Sequence, residues 1–315
     1  MILIREMENY HPEQQKPLYL ALGNFDGLHL GHKSLLEQMI HKAEQEKGIS
    51  GAYIFEPHPS MVLFPEAAPR LLINAASKAK MLEVLGLDIL IYQTFNLEIA
   101  QLSPEEFVEK VLVNHLHVKG VFIGFNYSFG CKGSGTPETM KQLGQRFGFE
   151  VSIIPPVKIK EEIVSSTLIR QNLDRGDIES CKEMLGYYPF VEGSVTNGEG
   201  RGKSIGYPTA NLLVDENRNV PGLGVYAAYA VLPFGMYNAV INIGRKPTFH
   251  QKYPVTIEAH ILDFYLDIYG SNMELILLTK IRDEKKFTSA AELIKQIDKD
   301  RQRAIAFFAE NSYLS

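Results

Sequence analysis

His29 and His32 stand three residues apart at the end of a glycine-rich stretch, Gly23-Asn-Phe-Asp-Gly-Leu-His-Leu-Gly-His32. An apolar run of strand length, Leu18–Leu22, precedes it. Residues 33–43 follow, with Leu35, Leu36, Met39, Ile40 and Ala43 at helical spacing. The stretch is therefore a turn from strand to helix, where backbone N–H groups and the positive end of the helix dipole gather. Phosphate suits such a junction. Glycines let it approach the main chain, and two imidazoles can donate hydrogen bonds to a charged phosphorus centre.

Three further segments of the first half carry groups of the same kind. In Phe55-Glu-Pro-His-Pro59 two prolines hold the backbone extended and keep His58 at a sheet edge, although a rigid loop would read the same way. Gly124-Phe-Asn-Tyr-Ser-Phe-Gly130 alternates aromatics. It could pack a planar ring, with Asn126 supplying hydrogen bonds, or simply bury its own side chains. Val164-Ser-Ser-Thr-Leu-Ile-Arg170 places the hydroxyls of Ser165, Ser166 and Thr167 where a helix begins, with Arg170 one turn later. Hydroxyls there cap helices routinely; the same geometry binds phosphate, with a guanidinium fork to grip it.

The second half has its own candidates. Gly198-Glu-Gly-Arg-Gly-Lys-Ser204 invites a P-loop reading, but the glycine required five residues before Gly202 is Asn197, and Gly206 and Pro208 interrupt the helix that must follow. Farther on, Val255, Ile257, Ala259 and Ile261 share one face of a strand, while Thr256, Glu258 and His260 share the other. Glu258 there is either a solvent-facing strand residue or a general base.

The elements that must position these groups follow two grammars. Up to about residue 184, short apolar runs (52–55, 88–92, 120–124, 151–154) alternate with helical patterns at 77–85, from Ser103 onward, and at 137–147. Ser103-Pro-Glu-Glu106 is a capping box with proline at the first helical position. Alternation of this kind predicts a parallel sheet covered on both faces, with ligands off the carboxyl ends of its strands. A helix from about 166 to 185, broken near Gly176, leads to a boundary at 186–189. Beyond it, strand-like runs at 224–232, 237–243, 255–262 and 274–281 follow one another without helices, which predicts an antiparallel sheet or small barrel. Only 289–308 is clearly helical.

With 315 residues the chain can hold two cores. A net charge of −5 provides no basic field for nucleic acid, and no apolar run approaches a membrane span. The start, Met-Ile-Leu-Ile-Arg-Glu-Met-Glu, is too short and too charged for a signal peptide. Cys131 and Cys181 make no metal pattern, and no disulfide is expected. A cytoplasmic protein without nucleic-acid or membrane partners is expected, its state open between monomer and homo-oligomer. His115, His117 and His250 receive no role.

The His-x-Gly-His spacing resembles the signature of the nucleotidyltransferase superfamily. Together with the three other segments of the first half, it resembles the adenylyltransferase module of bacterial bifunctional riboflavin kinase/FAD synthetases. Downstream, Ile205-Gly-Tyr-Pro-Thr-Ala-Asn211 resembles the Pro-Thr-Ala-Asn motif of riboflavin kinases, and residues 242–249, 256–264 and 267–270 resemble further kinase segments. The resemblance spans essentially the whole chain. It implies an α/β plus β architecture: a Rossmann-like nucleotidyltransferase domain over 1–184 and a small antiparallel riboflavin-kinase-like barrel with a terminal helix over 185–315. It implies that His29 and His32 stabilise charge on ATP, that Gly23, Asn24, Phe25, Ser165, Ser166, Thr167 and Arg170 hold the triphosphate, and that His58 and Asn126 line the flavin or phosphate site. For the second half it implies Gly202 and Lys203 in a flap over ATP, Thr209 and Asn211 as holders of Mg²⁺-ATP, and Glu258 as the base. Substrates and products would be ATP, riboflavin, FMN and FAD. Three residues depart from the commoner pattern: Ser128 and Lys203 for arginine, and Lys246 for asparagine. They keep open a reading in which only the adenylyltransferase is active. A non-catalytic flavin sensor is the other alternative, and an aminoacyl-tRNA synthetase fragment lacks the Lys-Met-Ser-Lys-Ser loop it would need.

Overall fold

A computed structural model describes residues 1–11, 16–196, 207–245 and 255–311. The chain divides into two compact units, Met1–Ser166 and Thr167–Ser315.

The first unit is a six-stranded, all-parallel sheet of β1 (Ile2–Arg5), β2 (Leu18–Leu22), β3 (Ile49–Glu56), β4 (Ile89–Thr94), β5 (Val118–Gly124) and β6 (Glu150–Ile154). Its spatial order is β1-β4-β3-β2-β5-β6. Two short strands of the first unit, β7 (Lys158–Ile159) and β8 (Glu162–Ile163), pair antiparallel as a separate ribbon. The helices between the strands include α1 (Leu30–Gln45), the short α2 (Pro59–Leu63), α3 (Ala75–Val84), α4 (Leu97–Gln101), α5 (Pro104–Phe107) and α6 (Pro137–Phe147). Every residue of β2 is buried, as a central strand covered on both faces requires. The capping box expected at Ser103 is formed, with Glu106 N–H donating to Ser103 Oγ and Ser103 N–H to Glu106 Oε2. The helix it starts widens into π-type turns over Val108–Val113. Apolar periodicity does not reveal β1, α2 and α4: the two helices, of 5 residues each, are too short to repeat a helical period, and β1 is a largely exposed edge strand. From β2 the chain winds through β3 and β4 in one direction and, after β1 at the edge is set aside, through β5 and β6 in the other, so the polarity of the winding reverses between β2 and β5. Ligands in open parallel sheets bind at that switch point, beyond the carboxyl ends of the strands.

The second unit opens with α7 (Ser166–Arg175, its first residue shared with the first unit) and α8 (Ile178–Leu185). They are separated at Gly176, whose φ of +76° suits glycine. Six antiparallel strands then close a barrel: β9 (Phe190–Thr196), β10 (Ala210–Leu213), β11 (Gly224–Leu232), β12 (Gly235–Arg245), β13 (Val255–Ile261) and β14 (Asn272–Arg282). The barrel order is β10-β13-β12-β11-β14-β9. Two of its strands, β9 and β10, flank the glycine-rich segment, whose turn residues mask strand character in the sequence. The terminal helix α9 (Ala290–Glu310) buries Ala304 and Phe308 in a cluster with Ala227, Tyr229 and Leu278 of the barrel wall. An ion pair between half-buried Arg282 and buried Asp300 fastens it: Arg282 Nε and Nη2 each lie 2.9 Å from Asp300 Oδ2, and Gln296 donates to Asp300 Oδ1 at 2.8 Å.

Candidate active sites

In the first unit the turn after β2 is held in a conformation that few sequences accept. Phe25, Gly27 and Leu28 have φ of +48°, +79° and +37°, a region costly for side-chain-bearing residues. Buried contacts hold it there. The Phe25 ring is buried, and a Cβ at Gly23 would lie 3.1 Å from it. Asp26, 3% exposed, accepts from Leu72 N–H at 2.9 Å and Ile73 N–H at 3.3 Å. Its own carbonyl accepts from Ser166 Oγ at 2.8 Å, which ties one of the predicted hydroxyls to the turn.

His29 caps α1: its Nδ1 accepts from His32 N–H at 3.3 Å. With Nδ1 so engaged, the neutral ring carries its proton on Nε2 and presents a donor. The two imidazoles stack at 3.6 Å and 15°, with Phe25 edge-on to His32 at 5.3 Å. A Cβ at Gly31 would meet His29 Cε1 at 3.1 Å, so the glycine between the histidines leaves room for the His29 ring. Burial pushes the His29 pKa down to about 4, against a smaller upward pull from Asp26. His32 is driven lower than usual too, by burial first and then by His29 and Lys78. Its Nδ1 is shielded and has no hydrogen-bond partner. Both rings are thus neutral near pH 7 and act as hydrogen-bonding groups, not as standing cations.

The parallel sheet brings the ends of β3 and β5 to either side of this turn. After β3, His58 Nε2 lies 3.0 Å from Asn24 Nδ2, and His58 Nδ1 is 2.6 Å from Ser60 Oγ. After β5, Asn126 is exposed. The aromatics around it divide between the two readings: Phe129 is buried with Tyr127 stacked on it, while Phe125 remains 41% exposed. Ser165 is half-buried just before α7. Thr167 and Arg170 belong to the second unit, on the first turns of α7. His115, given no role, bonds the Met7 carbonyl at 2.6 Å.

In the barrel, strand register assembles a polar row. Asn211 on β10 and Asn242 on β12 each pair directly with Glu258 of β13, one on either side. Directly opposed residues of antiparallel strands share a face. Thr196 of β9 extends the row beyond Asn211. The buried Ile257, Ala259 and Ile261 alternate with Thr256, Glu258 and His260, as the period-two pattern predicts. Thr209 is half-buried two residues before Asn211. Gly202, Lys203 and Lys246 lie outside the described residues. Three residues were not singled out in the sequence: Asp26, Lys78 and Asn242. Asn242 alternates with Ile241 and Ile243, but only register shows that it faces Glu258.

Residues 11–168 match the family described as FAD synthetase, and residues 185–308 the family described as riboflavin kinase. The bifunctional riboflavin kinase/FMN adenylyltransferase of Bacillus subtilis is 38% identical over 94% of this chain and 94% of its own length. The chain belongs to the bifunctional riboflavin kinase/FMN adenylyltransferase family. The family member from Haemophilus influenzae is 36% identical over 98% of this chain and 99% of its own. A crystal structure from Streptococcus pneumoniae, described as a macrolide-efflux protein, is similar with a TM-score of 0.86 and 30% identity over 96% of this chain and 98% of that one. Among the described residues of this family member, no helix is long and apolar enough to cross a membrane.

Proposed function

We propose that the chain makes FAD from riboflavin in two ATP-dependent transfers, with the adenylyltransferase in residues 1–184 and the kinase in 185–315. The observation that carries this reading is the presence, in one chain, of a stacked histidine pair at the sheet's switch point and of Glu258 between two asparagines on the barrel. Helix α7, which carries Thr167 and Arg170, and helix α8 belong to the same unit as the barrel.

In the kinase step the riboflavin 5′-hydroxyl attacks the γ-phosphorus of ATP. Its oxygen bonds to phosphorus, the bond to ADP breaks, and Glu258 takes the proton. Asn211 and Asn242 flank that carboxylate with neutral amides. Thr209 and Asn211 would hold Mg²⁺ with ATP, since hydroxyl and amide oxygens are hard donors and the ion is commonly held largely through substrate phosphates. When bound, the metal neutralises charge on the β- and γ-phosphates.

In the adenylyl step a phosphate oxygen of FMN attacks the α-phosphorus of a second ATP, and pyrophosphate leaves. FMN is already anionic, so the site needs no strong base; orientation and charge stabilisation supply the rate. His29 and His32 donate hydrogen bonds to the phosphates. Gly23, Asn24 and Phe25 bring main-chain groups to them, with Ser165, Ser166, Thr167 and Arg170 as further phosphate ligands. His58 and Asn126 line the flavin side. Gly202 and Lys203 are assigned to the kinase flap. Supply of ATP and free thiols at Cys131 and Cys181 fit a cytoplasmic enzyme.

The test is a product assay with ATP and Mg²⁺, starting from riboflavin or from FMN, with flavins separated by chromatography. FAD from both substrates is expected. FAD from FMN alone would refute the kinase assignment, and FAD from neither would refute both.

A further inference from the structure

Lys78 is 4% exposed, on the first turn of α3, far in sequence from both histidines. Lysine is almost never buried so completely without a partner that repays its desolvation. Its Nζ donates to the Asn24 carbonyl at 2.7 Å. Asn24 is the second residue after β2, at the switch point, and its side-chain amide faces His58. The ammonium therefore grips the main chain of the turn while the side chain of the same residue reaches across to the end of β3. The charge is also felt at His32, where it opposes protonation. Asp26 braces the turn from the other direction through the amides of Leu72 and Ile73.

Resting on the adenylyltransferase reading above, we propose that Lys78 is a positioning residue for ATP in the first unit. By holding the Asn24 carbonyl it sets the peptide that receives the triphosphate, and its buried positive charge favours the anion there. A group with only a structural role would change how much protein is active. A group that shapes the nucleotide site changes the apparent affinity for ATP.

The experiment compares wild type, K78M, K78Q and K78R as full-length proteins, measuring adenylyl transfer with ATP and FMN varied separately. Thermal unfolding of the same preparations reports on the fold of the first unit, and riboflavin kinase activity on the second. In K78M the KM for ATP is expected to rise at least tenfold, with the KM for FMN and the kinase rate within twofold of wild type. K78R should recover most of the ATP affinity, because it restores a buried cation and donor. An unchanged KM for ATP overturns the proposal, whatever happens to kcat, as does an equal rise in both KM values. Should K78M fail to fold, the same criterion applies to K78Q. Wild type that makes no FAD from FMN would instead overturn the functional reading on which the proposal stands.

Discussion

Gly31→Ala separates stability from catalysis at one atom. Gly31 lies in the first turn of α1, and its φ is not in the positive region. Alanine there should therefore favour the helix, by up to about 1 kcal/mol if the position behaved as a helix interior. The new Cβ, however, would sit 3.1 Å from His29 Cε1 and 3.2 Å from Nδ1. The ring must move by a few tenths of an ångström, which weakens its cap on His32 N–H, an interaction worth ~1 kcal/mol. The two effects nearly cancel, so the melting temperature should shift by no more than about 2–4 °C. Catalysis has no such compensation. His29 Nε2 is aimed through this ring, and a displacement of about 1 Å can cost ~100-fold, so a smaller one should cost on the order of tenfold. The assay is FAD formation from FMN, with riboflavin phosphorylation as the internal control and thermal unfolding alongside. Adenylyl transfer within twofold of wild type would refute the claim that Gly31 exists to admit the His29 ring. A large fall in stability matching the loss of rate would refute the balance of energies.

Three other outcomes follow from the same geometry. Because the His29 pKa falls to about 4 in the folded state, from 6.5 when unfolded, the unfolded chain binds more protons between those values. Stability should thus be full above about pH 6.5 and fall as pH drops toward 4, by about 3 kcal/mol from this group; chemical denaturation across that range should show a shallower acid limb for His29→Asn. Glu258→Gln should reduce FMN formation from riboflavin by ~100-fold or more while FAD formation from FMN persists; equal loss of both activities would argue against a base confined to the kinase step. Asp26→Ala leaves the Leu72 and Ile73 amides without their acceptor, and should destabilise the first unit by about 2–5 kcal/mol in denaturant unfolding.

Much of this protein is written in local pattern. Leu18–Leu22, the glycines after it and the apolar spacing of residues 33–43 specify strand, turn and helix without reference to the rest of the chain, because each depends on neighbours within a few residues. The same holds for the capping box at Ser103 and the two faces of β13. Alternation of strand and helix, then strand after strand, separates a parallel sheet from an antiparallel fold for the same reason. Local pattern leaves open whether the second half is a sheet or a barrel; closure depends on β9 pairing with both β10 and β14, across 15 and more residues.

Only the tertiary structure decided what surrounds each reactive group. Lys78 reads as one residue of an ordinary helix, and its burial against Asn24 requires α3 to cross the end of β2. Asp26 reads as a turn residue until the amides of Leu72 and Ile73 arrive from 46 and 47 residues away. Asn242 meets Glu258 through the register of β12 on β13, and a slip of one residue would turn it to the other face. The low pKa of His29 has the same origin, since desolvation comes from the packed unit as a whole. The residue types were legible because chemistry demands them locally. Their protonation states and partners were not, because these come from segments brought together only by the folded chain.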